Sequence, residues 1–190
     1  MYIFSLIISF FFGCVIDNDL VKNPAREKIF SPRSYEQINE QSVIKIGFGS
    51  CLDQNKSLGI FQSIKASRPD MFLMIGDNVY GDTRDGKLRK MAKAYRRQRE
   101  NFRSLSLNFP IESIWDDHDY GINDGGADYP HKEISEKMFL DFWEIPVNDI
   151  RRSRSGLYRE QLLTINDKIA QIIYLDTRFH RGKLVHSDER

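Results

Sequence analysis

Cys51, Asp77, Tyr80, Asp116, Asp117, His118, Asn123 and Asp176 all follow the ends of short apolar runs, and together they offer thiol, phenol, carboxylate, imidazole and amide donors. Acids gathered without cations repel one another, so such a group calls for a bound metal ion. The donor types narrow the choice of ion. A phenol with an unperturbed pKa of about 10 gives up its proton only beside a strongly acidic cation. Ferric iron suits both the Tyr80 phenolate and the Cys51 thiolate, whereas Asp117 and Asn123 offer oxygen to a second, harder ion such as calcium. Asp77 is placed to bridge the two. A pair of cations about 4 Å apart clamps a phosphoryl group and lowers the pKa of bound water. His118 then serves to protonate a leaving oxygen or to bind a phosphate oxygen, and Arg178 offers a planar fork to phosphate. Two plainer readings stand beside this one: Asp and Asn are common in turns for local hydrogen-bonding reasons, and Cys51 is equally readable as a small buried hydrophobe.

Residues so placed need a rigid frame. The run Met71-Phe72-Leu73-Met74-Ile75, stopped by Gly76, reads as a buried strand, and its carboxyl end is the natural rim of a site in a layered α/β fold. Val43 to Phe48 reads as a strand that delivers Cys51, and Ser57 to Ala66 carries Ile60, Phe61 and Ile64 at helical spacing before Arg68-Pro69. Strand, helix and strand in that order predict two parallel strands, with Cys51 and Asp77 at the same sheet edge. Lys87 to Leu107 reads as an amphipathic helix with a basic face that includes Arg99, best taken as solvated. Pro110 to Trp115 predicts a third strand ending in Asp116-Asp117-His118-Asp119, followed by a glycine-rich loop. Lys132 to Trp143 predicts a helix with Ile134, Met138, Phe139 and Phe142 inward, and Gly156–Ile165 and Ile169–Asp176 predict a hairpin turning at Asn166-Asp167.

The 190 residues suffice for one domain with a core, and a net charge of +1 argues against nucleic acid as a stable partner. Tyr2 to Val15 is almost uninterrupted apolar sequence, shorter than the roughly 20 residues of a membrane-spanning helix and suited to a signal-peptide core. It ends in Phe12-Gly13-Cys14, which resembles the lipobox of bacterial lipoproteins and makes Cys14 the lipidation site; an uncleaved membrane anchor is the alternative. Residues 1–14 are thus read as a signal or lipobox segment, 15–41 as a tether, and 42–190 as the folded domain. With Cys14 lipidated, Cys51 is an odd thiol in an oxidising compartment and calls for a protector such as a metal.

Gly49-Ser50-Cys51, Gly76-Asp77-Asn78-Val79-Tyr80, Trp115-Asp116-Asp117-His118-Asp119 and Leu175-Asp176-Thr177-Arg178, in this order and spacing, resemble the alkaline phosphatase D (PhoD-like) family of metallophosphoesterases. The resemblance implies a four-layer αββα sandwich and an exported enzyme, periplasmic or on the outer surface, that hydrolyses phosphate monoesters and diesters with Fe3+ and Ca2+. Carried over, Cys51, Asp77 and Tyr80 bind iron, Asp77 bridges to calcium, Asp117 and Asn123 are further ligands, His118 is catalytic and Arg178 binds substrate. The family's later Asp and His segment has no counterpart here, so the domain is expected to be the N-terminal half of the sandwich. The alternative is a non-catalytic, membrane-tethered remnant that binds metal or phosphate.

Overall fold

The computed structural model describes residues 28–30, 35 and 42–183. The signal segment 1–14, with Cys14, lies outside these residues. Strands β1 (Ile46–Gly49), β2 (Met71–Ile75) and β3 (Ile111–Ile114) form a parallel sheet in that order. Ile46 pairs with Met71, and Phe72 pairs with Ile111, so all three strands end at one edge. Helix α1 (Ile60–Ser67) joins β1 to β2, and α2 (Arg89–Arg103) joins β2 to β3. The short helix α3 (Asp117–Tyr120) follows β3 directly; α4 (Lys132–Phe142) and a turn of 3-10 helix (Ile150–Arg152) come next. Strands β4 (Arg159–Ile165) and β5 (Lys168–Tyr174) close as an antiparallel hairpin.

The sequence explains each device locally. β1 reads Ile-Gly-Phe-Gly, and its glycines face the Phe72 ring: a Cβ on Gly47 would sit 2.6 Å from that ring. The other two residues of β1, Ile46 and Phe48, point to the opposite face and stay exposed, Phe48 at 71%. Asn166 and Asp167 both take positive φ, 47° and 64°, the left-handed pair that a two-residue hairpin turn requires.

One face of the sheet is fully covered. Phe61 of α1, Phe102 of α2 and Phe142 of α4 join Phe30 and Trp143 in an aromatic core, with ring centroids 4.8–6.2 Å apart where Phe30 and Phe102 meet their neighbours. Such edge-to-face contacts add to the burial of large apolar area. Phe30 falls within the stretch 15–41 expected to be a tether; where this stretch is described it is docked, with Phe30 buried, Ile29 N–H donating to Glu144 and Tyr35 bonded to Glu112. Two expectations are corrected. Arg99 is buried beneath the basic face of α2, where its guanidinium pairs with Glu144 at 2.7 Å, and Ile134 lies on the outer side of α4.

The opposite face is covered only in part. Ile75 is exposed, and so are Leu162, Ile169, Ile173 and Leu175 of the hairpin region. A cleft of about 370 Å³ lined by Leu73, Ile75, Ile114 and Ile173 separates sheet from hairpin. The unit is a mixed α/β fold with one face of its parallel sheet covered and the other covered only in part by the described residues. No helix of the described residues is long and apolar enough to cross a membrane.

Candidate metal centre

The site is built where β1, β2 and β3 end. Gly76, with φ +110°, turns the chain out of β2 against the end of β3; a Cβ there would lie 2.7 Å from Asp116 Cβ and 3.2 Å from its backbone nitrogen. Only glycine permits that approach. Asp77 and Cys51 then both adopt left-handed backbone, φ 51° and 61°, a costly conformation for residues with a Cβ that concentrates at functional sites. Their loops are joined by Leu52 N–H donating to the Asp77 carbonyl at 2.8 Å.

These turns gather the predicted donors. Asp77, Asp117 and His118 each present a ligand atom within 4.8 Å of the other two. The Cys51 thiol lies 3.6 Å from Asp77 Oδ2, so the two strand-end residues do meet, and Cys51 is exposed rather than a buried hydrophobe. The Tyr80 ring packs against His118, tilted by 35° with centroids 4.4 Å apart. Asp77 Oδ1 is buried with no hydrogen-bond partner among the described residues. Burial raises the Asp77 carboxyl above its usual range, and the charges of Asp116 and Asp117 push the same way against the opposing pull of His118. An orphaned acid oxygen facing a second acid and an imidazole fits a cation. Tyr80 is also raised, by burial first and then by its hydrogen bond with Cys51. The phenol is therefore neutral here, and only a strong Lewis acid would draw it in as phenolate.

His118 is oriented by a residue that the sequence reading passed over. Asp82 Oδ1 lies 2.8 Å from His118 Nδ1, so Nδ1–H faces the carboxylate and Nε2 is left for the cluster. Burial works against protonation of the ring, but the Asp82 bond and the charges of Asp82, Asp77 and Asp117 outweigh it and raise the His118 pKa. Asp82 stands only five residues beyond Asp77, inside the same run; its spacing was visible, its partner was not.

The remaining donors divide. Asp117 is buried, and its Oδ2 accepts the Asp124 N–H at 2.9 Å. Asn123 is exposed, and its amide donates to Asp124 rather than to a cluster carboxylate. Arg178 Nε grips Asp116 Oδ1 at 2.5 Å, while its outer nitrogens lie only loosely against Asp117 (3.7 Å) and Asp124 (3.8 Å). Asp176 is occupied otherwise: it accepts N–H groups from Trp115 Nε1, Leu157, Arg178 and Phe179, all at 2.8–2.9 Å.

Buried amides stitch the three loops together. The Gln54 side chain both donates to the Tyr80 carbonyl and accepts its N–H, and Gln98 of α2 donates to the carbonyls of Leu52 and Asn78. Asn78 N–H and Asp116 N–H both go to Asp119, whose fully buried carboxyl is pushed up to about 7 by burial against the pull of those bonds.

In open α/β folds ligands bind at the carboxyl ends of the strands, where these acids and the imidazole gather. A solved structure described as "Structure of PhoD" is similar to this chain, with a TM-score of 0.55 and 17% identity over 77% of this chain and 35% of that one. The chain has a PhoD-like fold and spans about a third of that structure's length. No protein-family model matches the chain, and no curated protein matches it in sequence.

Proposed function

We propose that this chain carries the strand-end part of an exported, metal-dependent phosphoesterase centre. The observation that carries the reading is the cluster of Asp77, Asp117 and His118 with its orphaned Asp77 oxygen. Cys51, Asp77 and Tyr80 would hold Fe3+, and Asp77, Asp117 and Asn123 would hold Ca2+, with Asn123 turning its side chain away from Asp124 to do so. Bound there, the cations would neutralise phosphoryl oxygens and acidify water. The protein's own residues supply the rest. Asp82 fixes the His118 tautomer, so Nε2 can hold a proton at the leaving oxygen or bind a phosphate oxygen. The loosely paired outer nitrogens of Arg178 are the part of its fork free to donate to a phosphate oxygen. The apolar segment ending at Cys14 supports export and lipid attachment, and the matched motifs support phosphate esters as substrates.

The test is metal content and p-nitrophenyl phosphate and bis-p-nitrophenyl phosphate hydrolysis by wild type and Asp77→Ala. Near-stoichiometric iron and turnover in wild type, both lost in the variant, is the expected result. Equal metal in the two proteins would remove the site assignment, whereas metal without turnover would support the second reading, a binding remnant.

A further inference from the structure

Asp77 belongs to one loop and Asp117 with His118 to another, and the sheet holds neither at the critical residue, because β2 stops at Ile75 and β3 at Ile114. One side chain lies between the two loops. Asp119 is 0% exposed. Its Oδ1 accepts the Asp116 N–H at 2.7 Å, and its Oδ2 accepts both the Asn78 N–H at 3.1 Å and the Asn78 side-chain amide. Asn78 directly follows Asp77, and Asp116 directly precedes Asp117. Resting on the metal-centre reading, we infer that Asp119 is a positioning residue whose carboxylate clamps the two ligand-bearing loops, so that Asp77 meets Asp117 and His118 at one point.

Chemistry favours this role over a packing role. A buried carboxylate is costly, and no cation pairs with Asp119 among the described residues, so its three N–H bonds must offset the burial. An apolar residue would fill the same volume without that cost. Two further contacts fit the clamp: Asn78 Nδ2 also reaches the Ile114 carbonyl at 2.9 Å, and Gly76 leaves room for the β2 loop to close onto Asp116. The groups that hold ligands in place are typically second partners of this kind, and their loss weakens metal binding about 10–100-fold.

The decisive experiment uses Asp119→Asn in the full chain, with two readouts. Amide hydrogen exchange, measured by NMR on metal-free protein, is expected to accelerate about tenfold or more at Asn78 and Asp116 while Phe72 in β2 is unchanged, because an asparagine offers one acceptor oxygen where three donors converge. Co2+ titrations followed by visible absorption should show binding weakened about 10–100-fold and an altered d–d envelope. Unchanged exchange at both amides overturns the inference, and so does faster exchange with wild-type Co2+ affinity and spectrum. If wild type itself binds no Co2+, the metal-centre reading falls, and exchange alone then decides whether the clamp exists. Should Asp119→Asn fail to fold, Asn78→Ala removes one donor while keeping the carboxylate, and it must shift both readouts in the same direction by less.

Discussion

Asp77 and Asp176 look alike in the sequence, each an acid just past an apolar strand, but the structure treats them as opposites. Asp176 accepts four N–H groups, from Trp115, Leu157, Arg178 and Phe179. Among the described residues Asp77 has one oxygen buried without a partner and the other against a thiol, and it lies near two further acids, Asp116 and Asp117, as well as His118. A strand-end acid saturated by N–H donors holds the chain together; one with idle lone pairs is open to a ligand, the role proposed above for Asp77. The difference lies in what the neighbouring loops donate, not in the residue or its position.

The comparison can be broken from either side. The largest effect is expected for Asp77→Ala, which should reduce bound metal to background while the metal-free protein melts no lower than wild type near neutral pH, since a repelling acid has gone. A fall in melting temperature would make Asp77 structural after all. Asp176→Ala should do the reverse, losing about 2–3 kcal/mol in a denaturant titration because several N–H groups lose their acceptor, with Co2+ affinity of the folded fraction intact. Next comes Asp82→Asn. It should lower the His118 pKa in an NMR titration, and it should slow any phosphoester hydrolysis by about 10–100-fold with little change in KM, as expected for a partner acting through another group.

The smallest effect concerns Glu136, which accepts the Gly156 N–H next to the Asp176 contacts. Burial foremost, with Asp176 and Glu133 adding, raises its carboxyl from 4.5 to about 7. The folded state therefore keeps this proton when the unfolded chain has lost it, so stability falls as pH rises from about 4.5 to about 7 and stays lower above. Glu136→Gln should melt with wild type at the acid end and a few degrees above it at pH 8. Identical melting at both ends would mean that burial beside Asp176 does not raise the Glu136 carboxyl.

Patterns of apolar residues carried the frame: the three parallel strands, the long basic helix and the Asn166-Asp167 hairpin were all legible, because period and turn chemistry are local. The meeting of Cys51 with Asp77 was legible as well, since strand, helix and strand in that order make the two strands parallel and put their carboxyl ends at one edge. Pairings between distant polar groups were not. Nothing local marks Arg99 as the buried member of a basic face, Asp82 as the partner of His118, or Asp119 as the acceptor for two loops. Ile134 was misplaced for a related reason: α4 is apolar on more than one side, and only Phe139, Phe142 and the aromatic core decide which side turns in.

The two tryptophans divide the molecule optically. Trp115 sits at the end of β3, its indole N–H on Asp176 and its ring parallel to Phe179, immediately before Asp116 and Asp117. Trp143 is enclosed by Phe30, Phe102 and Phe142. A paramagnetic or absorbing ion at the strand ends would quench the first emitter more strongly than the second. With Trp143→Phe, fluorescence becomes a titration of the site alone, and with Trp115→Phe it becomes a melting curve of the core, so occupancy and folding can be followed separately in one unlabelled protein.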